Sequence, residues 1–151
     1  GLREGNDRAN ERIIGIEDAQ KTNPNVELVA IEECKYSFEE ASAALDRILA
    51  LNKNPTAIIC TSDVLAVGAM LRAKELGLSV PNDISITGFD DINLARVVTP
   101  SLTTVRVPQQ EMGRKAAEIL LDLINPNLGK TAAQSVELTT TIINRGTLAS
   151  R

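Results

Sequence analysis

Histidine and tryptophan are absent from this chain of 151 residues, and it has only one Tyr and two Phe. Without histidine there is no Ser-His or Cys-His pair that could activate a nucleophile. P-loop, Gly-x-Gly-x-x-Gly and metal-ligand spacings are absent as well. The sequence therefore predicts a binding protein with no cofactor and no metal, not an enzyme. With so few aromatic residues, the core must consist of Ala, Leu, Ile and Val, which suits parallel strands covered by helices on both faces.

Positive charge is not concentrated anywhere in the chain. The formal net charge is −4, and Lys and Arg are scattered without a basic run. Because phosphate contacts need a clustered positive surface, we do not expect this chain itself to bind nucleic acid. Its two cysteines, Cys34 and Cys60, form no Cys-x-x-Cys motif, which favours free thiols in a reducing cytoplasm. The sequence contains no apolar run long enough to cross a membrane and no signal peptide, so we expect no membrane partner.

Helical and strand-like patterns alternate along the chain. The residue before Asn54-Pro55 should end a helix, and Gly77 is a typical residue just after one. Apolar periodicity and capping residues predict ten elements. They are a helix from Asn6 or Asp7 to about Gln20, a strand at Val26–Ile31, a helix after Ser37, a strand at Thr56–Cys60, a helix capped by Ser62 or Asp63, a strand at Ile84–Thr87, a short helix at Ile92–Val98, a strand at Leu102–Val107, a helix at Gln109–Ile124 and a strand at Val136–Ile143.

Polar side chains follow two of the apolar runs. Ser62 and Asp63 come just after the run TAIIC, and Asp90 and Asp91 come directly after the run ISITGF. In a parallel α/β sheet, ligands bind at the carboxyl ends of the strands. The sequence therefore predicts a small-molecule site on a doubly wound parallel sheet.

Three motifs cover this part of the chain in order: P-T-A-I-x-C-x-S-D-x-x-A-x-G-A, G-L-x-V-P-x-D-I-S-I-x-G-F-D-D and T-P-x-L-T-T-V. They closely resemble the effector-binding core of the LacI/GalR family of bacterial transcription regulators. Weaker matches extend the resemblance over nearly all 151 residues. It implies a type I periplasmic-binding-protein-like fold that senses a carbohydrate or a nucleobase.

The resemblance also implies that the domain is incomplete. The first lobe and the first strand of the second lobe would precede Gly1. Residues 1–98 would form the lobe distal to DNA, residues 99–130 would cross and give one strand and one helix to the DNA-proximal lobe, and residues 131–151 would return. With the common strand order 2-1-3-4-5, the missing strand would lie between Val26–Ile31 and Thr56–Cys60.

The resemblance places ligand contacts at Asp90, Arg12 and Tyr36. Asp90 would accept hydrogen bonds from ligand hydroxyls or ring nitrogens, Arg12 would donate to ligand oxygens, and Tyr36 would stack on a sugar or base. Each has an alternative. Asp90 or Asp91 could cap a helix, Arg12 could lie on a solvated helix face, and Tyr36 could be an exposed loop residue.

Further contacts implied by the resemblance are Ser62, Asn6 and Arg8. Many relatives have Asn where Ser62 stands, which changes the pattern of hydroxyls that could be read. For Asp63 a helix cap is the favoured role. A homodimer interface is implied on two helices, with ordinary intramolecular core as the alternative; the candidates are Ala69, Met70, Ala73, Leu94, Val97 and Val98.

The resemblance therefore predicts the ligand-sensing and dimerisation domain of a cytoplasmic transcription regulator. Effector would bind between two lobes, and operator DNA would be bound only through a headpiece outside this chain. The alternative is a secreted sugar-binding protein of a transporter, which shares the fold. The tail V-E-L-T-T-T-I-I-N-R-G-T-L-A favours the regulator.

Overall fold

The computed structural model describes residues 7–125 and 135–150, so the predicted contact Asn6 and the boundary between residues 130 and 131 lie outside it. Helices and strands alternate from β1 onwards, close to the predicted bounds. The elements are α1 (Asp7–Thr22), α2 (Phe38–Ala50), β1 (Ala57–Ile59), α3 (Asp63–Glu75), β2 (Ser85–Asp90), α4 (Leu94–Val97), β3 (Thr103–Arg106), α5 (Gln109–Ile124) and β4 (Thr141–Ile143).

The four strands form one sheet in the order β1-β2-β3-β4. β1, β2 and β3 run parallel, with Ile58 opposite Ile86 and Gly88 opposite Thr104. β4 pairs antiparallel with β3. The predicted α/β class with a parallel sheet is confirmed, with an antiparallel strand at one edge. This arrangement brings the carboxyl ends of β1 and β2 to the same edge, as the site prediction requires.

The core lies between α3 and β2. Ala66, Ala73, Ile86 and Leu102 are fully buried there. α2 packs on α3 through Gly68, where an added Cβ would lie 2.6 Å from the carbonyl oxygen of Phe38. Small side chains thus allow the two helices to approach closely.

The predicted strand Val26–Ile31 is wrong, because these residues have no strand pairing. A cavity of about 550 Å³ separates these residues from β1, and residues of α1 and α2 also line this cavity. β1 is the edge strand of the sheet on that side. A strand is stable only when its backbone groups pair with a neighbour. The cavity lies where the predicted strand order places a missing strand, so the segment has nothing to pair with among the described residues.

The strand predicted at Leu102–Val107 does not leave the sheet, which corrects its assignment to a second lobe. Residues Thr103–Arg106 pair with both β2 and β4. A crossing could therefore begin only after Arg106, and the returning strand is Thr141–Ile143, shorter than the predicted Val136–Ile143. Beyond β3, α5 has no buried residue. The division into lobes stays a prediction, and α5 is the helix that would belong to the other one.

Three predicted dimer contacts are part of the chain's own core. Ala69, Met70 and Ala73 have 3%, 7% and 0% of their surface exposed in the single chain. They have almost no surface left for a partner, so this part of the prediction is wrong and the intramolecular alternative holds. Leu94 and Val98 are partly buried against the same core, whereas Val97 is 74% exposed.

Candidate functional site

A cation, an aromatic ring and a carboxylate meet at the carboxyl ends of β1 and β2. Nη1 of Arg12, on α1, donates to the carbonyl oxygen of Thr61, just after β1, at 2.8 Å. The same guanidinium lies over the ring of Phe89, with Cζ 3.7 Å from the ring centroid. Asp90 follows Phe89 and ends β2. The solvated-face alternative for Arg12 is therefore excluded, because its head is anchored against two strand ends.

Arg12 and Asp90 are both partly buried at this edge. Burial raises the pKa of Asp90, and the positive charges of Arg12 and Arg8 oppose that rise without cancelling it. Burial likewise lowers the pKa of Arg12, opposed by Asp90. The planar guanidinium of Arg12, a hydrogen-bond donor, and the carboxylate of Asp90, an acceptor, thus lie at the same partly buried edge of the sheet. Polar ligands such as sugars and nucleobases offer both kinds of partner.

The backbone of the acidic turn is unusual. Asp90 has φ 108° and Asp91 has φ 51°, a region that non-glycine residues rarely enter. Such strain costs roughly 1–3 kcal/mol at each residue and tends to occur at ligand-binding sites. Neither residue caps α4, whose N-cap is Asn93 without a side-chain cap bond. The capping alternative for Asp90 and Asp91 is therefore wrong.

The buried carboxylate of Asp63 fixes this turn through hydrogen bonds. Its side chain is fully buried, its Oδ2 accepts from the backbone N–H of Ile92 at 2.8 Å, and its Oδ1 accepts from the hydroxyl of Thr104. Burial raises the pKa of Asp63, and these two hydrogen bonds oppose the rise. A Cβ on Gly88 would overlap Oδ1 of Asp63, so only glycine fits there.

The helix cap of α3 belongs to Ser62, not to Asp63. Oγ of Ser62 accepts from the N–H of Leu65 at 3.3 Å, while Asp63 is the first residue of the helix. The favoured capping role of Asp63 is therefore wrong. Ser62 is buried with its oxygen engaged in the cap, and its predicted ligand contact stays a prediction.

Two other predicted contacts stay predictions as well. Arg8 is exposed on α1, with its charge close enough to influence Asp90. Tyr36 is 63% exposed in the loop before α2, which fits the loop alternative and also leaves its ring accessible.

Asp91 is the most highly connected carboxylate of the site. Its side chain is only 1% exposed. Arg145 donates to Oδ1, Nε of Arg106 donates to Oδ2 at 2.6 Å, and Arg96 lies 3.5 Å from Oδ2. Burial alone would raise the pKa of Asp91, but the hydrogen bonds from Arg145 and Arg106 outweigh it and hold that pKa below its usual value.

The segment after β4 is hydrogen-bonded to the two central strands, β2 and β3. Oγ1 of the fully buried Thr147 accepts from the N–H of Thr103 at 2.9 Å, and its carbonyl oxygen accepts from the N–H of Ile86 at 3.0 Å. The N–H of Arg145 donates to Oγ1 of Thr103 at 2.8 Å. Sequence reasoning missed these roles, although the Arg-Gly-Thr of the tail was the available signal.

Among residues 7–125 and 135–150, no group of three or more His, Cys, Asp or Glu side chains is placed to hold a metal ion. No helix in the same ranges combines the length and the apolar character needed to cross a membrane. Both cysteines are free thiols.

The chain matches known proteins along most of its length. The family model described as the periplasmic binding protein-like domain matches residues 3–148. The HTH-type transcriptional repressor PurR of Erwinia tasmaniensis is 40% identical over 114 residues, which are 76% of this chain and 33% of that protein. The HTH-type transcriptional repressor CytR of Escherichia coli K12 is 48% identical over 87 residues, 58% of this chain and 26% of that protein.

The solved structures that are similar to this chain also include transcription regulators. The lac repressor dimer bound to operator and the anti-inducer ONPF has a TM-score of 0.86 at 26% identity, covering 95% of this chain and 49% of that one. The complex of the transcriptional regulator CelR with cellobiose has a TM-score of 0.83 at 25% identity, covering 91% and 42%. This chain thus spans about a third or less of the curated relatives and about half of the structures it matches. The chain belongs to the periplasmic binding protein-like domain family, and it is similar over most of its length to LacI-type transcription regulators.

Proposed function

We propose that this chain is the ligand-sensing part of a LacI-type, DNA-binding transcription regulator in the cytoplasm. The observation that carries the proposal is that Arg12 is anchored on Thr61 and Phe89 at the carboxyl ends of β1 and β2, where Asp90 ends β2. Asp90 would accept hydrogen bonds from ligand hydroxyls or ring N–H groups, and Arg12, oriented by Phe89 and Thr61, would donate to ligand oxygens. Ser62, Asn6, Arg8 and Tyr36 are proposed as further contacts. The ligand class is a carbohydrate or a nucleobase.

A second lobe would close the site from the opposite side. α5 supports this idea because none of its residues is buried, although it carries many apolar side chains. The exposed apolar side chains are Met112, Leu120, Leu121, Leu123 and Ile124. Apolar patches of this kind mark surfaces that contact another body. The proposed effect of the ligand is to change how the lobe that contains α5 lies against the sheet.

Homodimerisation would use exposed apolar residues near the helices first suggested. Val97, on α4, is 74% exposed and Leu71, on α3, is 50% exposed, and α3 contacts α4. Val97 stays in the proposal as predicted, Leu71 replaces Ala69, Met70 and Ala73, and the partly buried Leu94 and Val98 would pack beneath them. Operator DNA would be bound by a headpiece outside this chain, since the net charge here is −4. The transporter alternative is disfavoured, because the most similar curated relatives given above are repressors.

A thermal-shift assay on the full-length gene product tests the proposal. Adenine, cytosine, D-ribose and cellobiose serve as probes of the two ligand classes. A ligand at about 100 times its Kd stabilises the protein by about 2.7 kcal/mol. We expect at least one probe to raise the Tm, and Asp90→Asn to lose that rise.

Asp46→Asn is the matched control, because it makes the same chemical change in a carboxylate that pairs with Arg72 between α2 and α3. The control should keep the rise. Equal stabilisation of Asp90→Asn and the native protein would place the ligand elsewhere. Failure of every probe with the native protein would remove the support for both ligand classes.

A further inference from the structure

Asp91 joins two parts of the chain that are distant in sequence. Its neighbour Arg106 is the last residue of β3, and α5 begins three residues later at Gln109. Its other close partner, Arg145, stands two residues after the end of β4 at Ile143. β3 and β4 pair with each other, with Arg106 opposite Thr141. One buried carboxylate therefore holds the strand that leads into α5 and the segment that follows the return from it.

The ion pairs of Asp91 with Arg106 and Arg145 are shielded from water on the carboxylate side. Arg145 is 13% exposed, donates to Asp91 and also donates from Nη1 to the carbonyl oxygen of Leu102 at 2.8 Å. Arg106 is 48% exposed, yet its bond at 2.6 Å is made to a carboxylate that water hardly reaches. Exposed pairs contribute little, whereas breaking a buried pair leaves an uncompensated charge. The cluster should therefore resist separation of β3 and β4 from the acidic turn.

Asp90 and Asp91 lie in one acidic turn that is anchored at its next residue. The two residues are adjacent, and both have positive φ angles. The next N–H, that of Ile92, is fixed to the buried Asp63. A change in the backbone at Asp90 would therefore be passed to Asp91, because the peptide on the other side of Asp91 is held in place. Packed structures of this kind shift between discrete arrangements instead of deforming freely.

We propose that Asp91 is a positioning residue that couples ligand contact at Asp90 to the orientation of α5 through Arg106 and Arg145. The inference deepens the proposed function and rests on it for the identity of Asp90 as a ligand contact. Asp91 does not touch the ligand in this scheme. It makes the strand that leads into α5 and the segment after β4 respond to the acidic turn as one unit, as coupling between two sites requires.

Distance measurements between spin labels test the proposal on the full-length protein. Labels are placed at Lys74→Cys on α3 and Gln110→Cys on α5, two exposed positions. Labelled protein is diluted with unlabelled protein so that one labelled chain is observed at a time. Cys34 is buried, and burial raises the pKa of the Cys60 thiol to about 12, so neither competes strongly for the label.

Asp91→Asn should widen the distribution of distances between the labels, and the control Asp46→Asn should leave it unchanged. Arg106→Gln removes only a half-exposed partner and should give the same widening if Asp91→Asn fails to fold. Whichever of adenine, cytosine, D-ribose or cellobiose stabilises the native protein should shift the distance in the native protein and in Asp46→Asn. Asp91→Asn should still be stabilised by that probe but lose the distance shift, a separation that loss of structure alone would not produce.

A distribution for Asp91→Asn and Arg106→Gln that matches the one for Asp46→Asn would overturn the coupling. Retention of the full probe-induced shift by Asp91→Asn would overturn it as well. Failure of the proposed function is a different result, since there no probe stabilises the native protein while the widening by Asp91→Asn remains.

Discussion

Replacing Thr147 by valine tests whether the hydrogen bond between the tail and β3 stabilises the fold. Valine keeps the shape of threonine but lacks the hydroxyl oxygen that accepts the N–H of Thr103 at 2.9 Å. Both residues are buried, with 0% and 1% of their surface exposed, so water cannot replace the lost acceptor. A buried donor left unpaired costs about 1–3 kcal/mol. For a protein of this size, each kcal/mol corresponds to a Tm change of about 2–4 °C.

Urea unfolding of Thr147→Val gives the magnitude, and amide hydrogen exchange at Thr103 gives the location. We expect a loss of stability of about 1–3 kcal/mol and faster exchange of that amide. Thr141→Val, at an exposed position on β4, is the matched control and should change stability by less than about 0.5 kcal/mol. If Thr147→Val and Thr141→Val unfold at the same urea concentration, the tail does not stabilise the sheet in the way argued.

Two further predictions concern glycine packing and acid stability. Gly68→Ala should destabilise the protein by about 1–3 kcal/mol, because the new methyl group would strike the backbone of Phe38. Gly15→Ala, with open space at its Cβ in α1, should stabilise it by roughly 0.5–1 kcal/mol. Thermal unfolding of both variants decides, and a Gly68→Ala variant as stable as Gly15→Ala would refute the close packing of α2 on α3. The pKa of Asp91 is lowered on folding, so its contribution is complete above the unfolded pKa of about 3.9 and is lost as the pH falls through the lower folded value. The native protein should therefore lose more stability than Asp91→Asn as the pH falls from about 5 to about 3, and parallel stability curves for the two proteins would contradict the ion cluster.

Local sequence signals were sufficient for the helices. The capping serines Ser37 and Ser62 accept from the third residue beyond them, and α5 spans the predicted residues Gln109–Ile124. Helical hydrogen bonds connect neighbours in sequence, so caps, apolar spacing and prolines decide where a helix begins and ends. The position of the site at the carboxyl ends of β1 and β2 could be predicted for a similar reason, since parallel strands joined by helices all point their ends to one edge.

The apolar pattern at Val26–Ile31 could not reveal whether a strand would form there. Strand pairing depends on a neighbour that may be far away in sequence, and here the cavity beside β1 leaves the segment unpaired. For the same reason the sequence did not show that Leu102–Val107 stays in the sheet or that Ala69, Met70 and Ala73 face inward.

The amino-acid sequence by itself determined the helices, the α/β class, the family resemblance and the edge where polar side chains gather. Only the tertiary structure decided the separate roles of the three neighbouring carboxylates. Asp63, Asp90 and Asp91 look alike in the sequence, yet Asp63 fixes the turn, Asp90 ends β2 near the charge of Arg12, and Asp91 joins β3 to the tail. Thr104, Arg106 and Arg145 are brought to Asp63 and Asp91 by the pairing of β2, β3 and β4 and not by proximity along the chain. Burial then sets how strongly each carboxylate interacts with its surroundings.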